Sequence, residues 1–132
     1  MAYSYDWTVR TGDTDFSGFV YTPTVIDYVV RGMEELMEEI GFSPSAADDR
    51  GVVYPAVHAE ADYVGTFGVD DTVTVELVPS VGDTSITLTA RGSLDDETVF
   101  TAELTLACID SETMEPAVVP TDIRERLAEY SE

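Results

Sequence analysis

One long amphipathic helix pattern, followed almost entirely by strand patterns, constrains the fold of this chain most strongly. Between residues 23 and 40, apolar side chains recur at spacings of three and four, as in a helix that is buried along one side. Thr22 before Pro23 is a natural cap for this helix, and Gly41 is placed to end it. Thr22 and Thr24 are both possible starts. The buried stripe is predicted to contain Val25, Ile26, Val29, Val30, Met33, Leu36, Met37 and Ile40.

Strand patterns occupy most of the remaining sequence. Residues 3–10 combine aromatic and β-branched side chains and predict a first strand. After a polar segment at residues 43–51, interpreted as a loop, four alternating segments follow, separated by turn signals. The chain closes with a predicted short acidic surface helix at residues 123–130. The four alternating segments are residues 52–65, 72–78, 85–92 and 99–109.

Short links between consecutive strands favour antiparallel pairing. The sequence therefore predicts an α+β fold in which a curled antiparallel β-sheet of about five strands is wrapped around one long helix, and residues 1–132 are expected to form one domain. Cys108 is predicted to be a buried strand residue rather than part of a disulfide framework. An edge strand and one sheet face remain open, and pairing with a second copy would cover them.

The N-terminal segment and the charge balance narrow the class of protein. The segment lacks the basic flank and apolar core of a signal peptide, and the apolar runs are too short to cross a bilayer, so a cytoplasmic protein without a membrane partner is expected. The chain carries 27 Asp and Glu residues against six arginines, for a formal net charge of -21. This balance argues against nucleic-acid binding, which needs clustered Lys and Arg. Because 44% of the residues are hydrophobic and fall in periodic patterns, the chain is expected to fold despite its charge.

The melting temperature is expected to rise as KCl is increased from low to molar concentration. Carboxylates that coat a folded surface repel one another, and salt screens that repulsion. A salt-rich cytoplasm, as in extreme halophiles, is therefore the expected environment. Thermal melts over a KCl series measure the effect, and a melting temperature that stays flat or falls with added salt would contradict it.

A loop with two carboxylates lies directly before the predicted helix, at residues 12–18. Its glycines permit tight backbone geometry, and a carboxylate such as Asp15 held there and partly dried would act as a nucleophile or base. The helix start supplies backbone N–H groups for an oxyanion. Alternatively, Asp13 and Asp15 only form hydrogen bonds within the loop, and the runner-up catalytic carboxylate lies among the helix glutamates. The aromatic residues expected to dry the site are Phe16, Phe19 and Tyr21, and the helix glutamates are Glu34, Glu35, Glu38 and Glu39.

His58 is the one histidine of the chain. It lies on a predicted strand with no recognisable Ser or Cys nucleophile nearby, so a packing or pocket-lining role is favoured over general-base catalysis. Glu60 and Asp62 share its strand face by alternation, and this face is interpreted as solvated. One histidine and one buried cysteine give no metal-ligand spacing, so no metal site is predicted.

The pattern D-x-x-G-x-V directly before the helix is matched by Asp15, Gly18 and Val20. Tyr63 and the turn at residues 70–73 follow at the expected distances, and the order of elements agrees over nearly the whole chain. In these features the sequence resembles the 4-hydroxybenzoyl-CoA thioesterase family of hotdog-fold proteins. The resemblance implies a single hotdog thioesterase-like domain over residues 1–132.

The resemblance also implies an acyl-CoA thioesterase without a cofactor, coenzyme A being part of the substrate. Asp15 would attack the thioester carbonyl directly or orient a water, and the backbone N–H of Thr22 would polarise that carbonyl. Family members work as dimers or dimer pairs, which implies a homodimer or homotetramer with sites at the subunit interface. The implied substrate-binding residues are Gly18, Phe19, Val20 and Tyr21 of the loop, together with Val57, His58 and Tyr63 of the neighbouring chain.

Two departures from the family pattern leave questions open. Many relatives have His and Asn-Asn where this chain has Phe19, Tyr21 and Thr22. The acyl preference of those relatives therefore does not carry over, and the sequence allows an aromatic or an aliphatic acyl group. Residues 79–83 carry no basic side chain where known members hold the coenzyme A phosphates. Arg50, Arg91, helix-end amides or bound cations are the alternatives, or the carrier is not coenzyme A. An acyl-thioester hydratase or dehydratase and a non-catalytic acyl-binding domain are the alternative functions.

Overall fold

The computed structural model describes residues 1–131, and its seven strands form two antiparallel sheets. The larger sheet has five strands, and the smaller one is a two-stranded pair formed by residues 52–53 and 109–110. The strands are β1 (Tyr3–Thr8), β2 (Val52–Val53), β3 (Ala56–Tyr63), β4 (Thr72–Val81), β5 (Ser85–Leu94), β6 (Glu97–Ala107) and β7 (Ile109–Asp110). The helices are α1 (Thr24–Glu39), α2 (Pro44–Asp49) and α3 (Thr121–Ala128).

The strand order in the large sheet is β1-β4-β5-β6-β3, so β1 and β3 are its edges. Every neighbouring pair is antiparallel. Short links account for this only in β4-β5-β6, because β1 and β3 pair with β4 and β6 over long connections, and the consecutive strands β3 and β4 lie apart in the sheet. Between β5 and β6, Asp95 and Asp96 both have positive φ angles, 52° and 66°. Two left-handed residues between paired strands form the kind of tight hairpin that matches the twist of a sheet, and Asp tolerates this conformation better than most side chains.

The sheet curls around α1, since this helix packs against both edge strands, β1 and β3, and also against β6. Four strand spacings separate the two edges, roughly 19 Å in a flat sheet, whereas a helix with its side chains is only about 10–12 Å wide. Contacts of one helix with both edges are those expected when the sheet bends around it. This confirms the predicted hotdog architecture.

The ends of α1 follow the sequence signals in part. The helix begins at Thr24, one of the two starts that the sequence allowed. Pro23 precedes it and no side chain caps it, so the expected cap by Thr22 is wrong. At the other end Gly41 has a φ of 78°, and the Phe42 N–H donates to the Met37 carbonyl at 2.7 Å. A left-handed glycine together with such a backbone hydrogen bond is a common helix C-terminus. It confirms the predicted end of the helix at Gly41.

Two segments differ from their sequence-based interpretation. The predicted loop at residues 43–51 contains α2, whose first turn is capped by Ser43 and begins with Pro44. A six-residue helix is too short to show an apolar period, so only its capping residues signalled it. The C-terminal helix α3 starts at Thr121, and its Ile123 and Leu127 are fully buried. It closes the core instead of lying only on the surface.

The core lies between α1 and the inner face of the sheet. The α1 stripe is buried at six of its predicted positions, while Ile26 and Val30 are partly buried. Cys108 is buried, as predicted, but it lies between β6 and β7 and not within a strand. Within residues 1–131, no helix is long and apolar enough to cross a membrane. The largest fully buried side chains include Trp7, Phe42, Phe67, Phe100, Leu36, Met37, Leu77, Ile86 and Leu88.

Candidate active site

Asp13 anchors the loop before α1 to the rest of the molecule. Its carboxylate accepts hydrogen bonds from the Arg10 backbone N–H at 2.9 Å, from the Trp7 indole N–H at 3.3 Å and from the Tyr28 hydroxyl at 3.4 Å. These donors come from the end of β1, the turn after it and α1. Asp13 therefore fits the alternative in which the carboxylate only holds the loop in place through hydrogen bonds.

Two glycines bring the same loop against the segment that precedes β4. Gly18 has a φ of 84°, a conformation that favours glycine, and the Phe19–Gly68 pair forms a short antiparallel bridge. A Cβ atom at Gly68 would overlap the Gly18 carbonyl oxygen. The Val20 N–H also donates to the Phe67 carbonyl at 3.1 Å. Gly68 is thus a positioning residue for the loop, and sequence analysis missed it because its partner lies fifty residues earlier in the chain.

The Asp15 carboxylate points into solvent. It accepts hydrogen bonds from the Ser17 backbone N–H at 2.8 Å and from the Ser17 hydroxyl. The hydroxyl and then the amide of Ser17 hold the pKa of Asp15 below its ordinary value, so this carboxyl group is ionised at neutral pH. The expectation that three aromatic side chains dry it is wrong for a single chain: Phe16 is fully exposed, and Phe19 and Tyr21 are 51% and 54% exposed.

The start of α1 offers backbone donors beside this loop. The Thr24 N–H is satisfied by the Tyr21 carbonyl at 2.8 Å, whereas the Thr22 N–H has no hydrogen-bond partner within residues 1–131. The carbonyl of Thr22 accepts the Tyr63 hydroxyl from the end of β3. Because no side chain caps α1, its positive dipole end stays available to a negative charge or a polarised carbonyl. Such an arrangement can stabilise an oxyanion next to a carboxylate.

The predicted site residues on β3 do not share one face. Residues directly opposite each other on neighbouring strands lie on the same face of a sheet. Tyr63 is opposite buried Phe100 and therefore belongs to the inner face, while His58 is opposite Thr105 on the outer face. Val57 is the extra residue of a bulge between Ala56 and His58 and is 63% exposed. The Tyr63 hydroxyl reaches the start of α1, whereas His58 faces the other side of the sheet. The role of these three residues in the site of a neighbouring chain stays a prediction.

The arginines predicted to hold phosphates have partners within the chain. Arg50 forms a two-point ion pair with Asp122, at 2.8 and 2.6 Å, which excludes it as a free cation. Arg91 lies 4.0 Å from Glu76 on the neighbouring strand, a distance typical of a weak surface pair. Arg124 of α3 was not singled out from the sequence. It donates to the Val81 and Gly82 carbonyls and faces a cleft of about 520 Å³ beside the β4–β5 hairpin.

The curled sheet, the buried helix and the carboxylate loop in front of an uncapped helix start define a hotdog-fold protein of the thioesterase type. The model of the thioesterase-like superfamily matches residues 9–127, and the chain belongs to this superfamily. The thioester hydrolase expected from the sequence agrees with this membership.

Individual relatives with similar sequences or folds are named as hydrolases or thioesterases of acyl-CoA compounds. The chain is 29% identical over 128 residues to a 1,4-dihydroxy-2-naphthoyl-CoA hydrolase of Synechococcus elongatus, covering 95% of this chain and 94% of that protein. Its fold is similar to that of a 1,4-dihydroxy-2-naphthoyl-CoA thioesterase from Synechocystis, with a TM-score of 0.89, 19% identity and coverage of 98% and 97% of the two chains. A gentisyl-coenzyme A thioesterase gives a TM-score of 0.82 at 19% identity, covering 95% and 99%.

Proposed function

We propose that this protein hydrolyses an acyl-CoA thioester at the junction of the Asp15 loop and the start of α1. One observation carries the proposal: an ionised carboxylate, fixed by Ser17, stands in the loop that leads directly into an uncapped helix with an unpartnered Thr22 N–H. The carboxylate supplies the nucleophile or base, and the amide supplies the oxyanion donor. Both halves of an acyl-transfer site are thus carried by one continuous segment of the chain.

The chemistry needs only the groups of this segment and water. The thioester carbonyl oxygen accepts the Thr22 N–H, which stabilises the negative charge that develops during attack. Asp15 either adds to the carbonyl carbon, giving an anhydride that water then hydrolyses, or removes a proton from an attacking water. In both routes the carbon–sulfur bond breaks, the thiolate of coenzyme A leaves and takes up a proton, and a carboxylic acid is released.

An aromatic acyl group is the proposed substrate class, within the 4-hydroxybenzoyl-CoA thioesterase family. The relatives that match the chain along most of its length are named for 1,4-dihydroxy-2-naphthoyl-CoA. In this chain the half-exposed rings of Phe19 and Tyr21 flank the loop and offer flat apolar surfaces to such a group. Gly18 and Val20 complete the loop contacts of the proposed substrate site.

The proposed working form is a homodimer or homotetramer with each site at a subunit interface. The edge strand β3 is exposed along almost its entire length. Val57 and Tyr63 on this strand and Val64 directly after it are exposed apolar residues. An open strand edge beside an apolar patch is a surface that a second copy can cover. The same contact would remove water from Asp15, which is exposed in a single chain.

A thiol-release screen over acyl-CoA substrates in molar KCl tests the function. We expect release of free coenzyme A with aromatic acyl groups, including 1,4-dihydroxy-2-naphthoyl, 4-hydroxybenzoyl and gentisyl, and slower release with aliphatic ones. The same acyl groups on pantetheine reveal whether the nucleotide part of the carrier is used. Water addition to an enoyl thioester without thiol release, or ligand binding without any turnover, would replace hydrolysis by one of the alternative functions.

Replacing Ser17 with alanine is expected to shift the acid limb of the kcat/KM profile to higher pH. The Ser17 hydroxyl is the main cause of the lowered pKa of Asp15, so its loss returns that pKa toward the ordinary value. The reacting form is the carboxylate, and activity is therefore lost as the pH falls through this pKa.

Profiles of kcat/KM over the acid range in molar KCl measure this shift. Ser4→Ala is the matched control, because it removes an exposed hydroxyl from β1 and should leave the limb in place. An unchanged limb in Ser17→Ala, with the fold intact by circular dichroism, would show that another group controls the acid side of the profile.

A further inference from the structure

The outer face of the sheet brings together the histidine of the chain and two glutamates from different strands. The Nε2 atom of His58 lies 3.5 Å from Oε1 of Glu60 on β3. Glu103 of β6 is directly opposite Glu60, and one ligand atom from each of the three side chains lies within 4.8 Å of the others. We propose that His58, Glu60 and Glu103 bind a divalent transition-metal ion such as Zn²⁺.

The electrostatics of this group favour a cation. Like charges directly opposite each other on neighbouring strands destabilise a sheet, and the Glu60–Glu103 pair is such an arrangement. Neither carboxylate forms an ion pair with an arginine within residues 1–131. A divalent ion between them converts this repulsion into two attractive contacts, and the formal charge of -21 attracts cations to the surface as a whole.

The regular alternation of β3 places the imidazole. From His58 to Tyr63 this strand pairs with β6 without interruption, so His58 lies opposite Thr105 and its side chain comes out on the same face as Glu60 and Glu103. The β-bulge at Val57 lies directly before this regular stretch.

The donor set indicates the kind of metal. One imidazole nitrogen and two carboxylate oxygens suit Zn²⁺ and similar borderline ions better than Mg²⁺ or Ca²⁺, which prefer oxygen donors alone. Ligand atoms around Zn²⁺ are roughly 3–4 Å apart for metal–ligand distances near 2 Å. The side chains are at least partly exposed, so small rotations bring them to this spacing and water completes the coordination.

This site is separate from the proposed thioester site. Tyr63, which reaches the start of α1, lies on the inner face of the sheet, whereas Glu103 alternates with buried Ala102 and Leu104 and therefore lies on the outer face. The ion would stabilise the edge strand β3 without taking part in hydrolysis.

Isothermal titration calorimetry of metal-free protein with Zn²⁺ in molar KCl tests the proposal, because the salt suppresses diffuse binding to the acidic surface. We expect saturable binding of one Zn²⁺ per chain, weakened about tenfold or more in each of His58→Gln, Glu60→Gln and Glu103→Gln. Glu125→Gln removes the same charge from an exposed position of α3 and should bind Zn²⁺ like the parent protein. Mg²⁺ should not compete at equal concentration.

Two results would overturn the metal site. One is the absence of saturable Zn²⁺ binding by the parent protein, and the other is unchanged affinity in Glu103→Gln. Thermal melts without metal show that each variant is folded, and Glu103→Gln is expected to melt no lower than the parent, since it removes one of two opposed charges. Thiol release by Glu103→Gln should equal that of the parent with and without Zn²⁺, which keeps this test independent of the proposed hydrolysis.

Discussion

Asp15→Asn is expected to lower kcat by a factor of about 100 or more, the scale on which loss of a main catalytic group acts. The amide keeps the size of the carboxylate and can still accept hydrogen bonds from Ser17, whose N–H lies 2.8 Å from Asp15 Oδ1. It cannot attack a carbonyl as an anion, and it is far too weak a base to remove a proton from water. Because the side chain is exposed, the substitution should leave the fold and its stability nearly unchanged.

Steady-state thiol release in molar KCl measures this loss, with melting temperatures as the check on folding. Asp83→Asn is the matched control, since it removes one exposed carboxylate from the β4–β5 turn and should retain full turnover. Asp13→Asn provides a contrast, because the Asp13 carboxylate accepts three hydrogen bonds from the scaffold and its loss should lower stability as well as activity. Full turnover in Asp15→Asn would remove this residue from the mechanism.

Phe67→Ala is expected to lower the free energy of unfolding by about 3–5 kcal/mol, as large-to-small changes at buried aromatic positions do. The Phe67 ring is fully buried. It packs edge-on against Trp7, at a centroid distance of 5.5 Å, and stacks on Phe100 at 6.0 Å. Its removal leaves a cavity below the segment that holds the Asp15 loop, the candidate active site. Since the Phe67 carbonyl also accepts the Val20 N–H, activity should fall along with stability.

Denaturant unfolding in molar KCl gives the change in free energy, provided that the transition is two-state. Val118→Ala truncates an exposed apolar side chain and should change stability by only a few tenths of a kcal/mol. A loss below about 1 kcal/mol in Phe67→Ala would mean that the core around Trp7 collapses around the gap, because the cost of truncation depends on such relaxation.

The main elements of the fold were predictable because each is encoded by a local period. The α1 stripe repeats every three to four residues, the strands alternate, and Gly41 and the paired aspartates before β6 mark an end and a turn. The short helix α2 and the buried face of α3 were not predicted correctly. Neither element is long enough for its period to stand out, and their burial depends on what the remainder of the chain leaves uncovered.

At the candidate site, the sequence placed a carboxylate loop before a helix start, and the resemblance selected Asp15 over Asp13. Their hydrogen bonds agree with that choice, since Asp13 is engaged by Trp7, Arg10 and Tyr28 while Asp15 is held only within its own loop. The role of Asp15 itself stays a prediction until it is measured. The exposure of the Asp15 side chain could not be predicted from the sequence. Exclusion of water from the loop depends on which other parts of the protein, or of a second copy, pack against it.

Spacing along the chain was thus sufficient for the helix, the strands and the carboxylate loop, because hydrophobic period and turn chemistry act between near neighbours. The tertiary structure alone decided which distant residues meet. Pairing of β3 with β6 places Glu103 against His58 and Glu60, and the docking of α3 commits Arg50 to Asp122. Both outcomes depend on strand register and helix packing, which the whole core sets and which no short segment encodes.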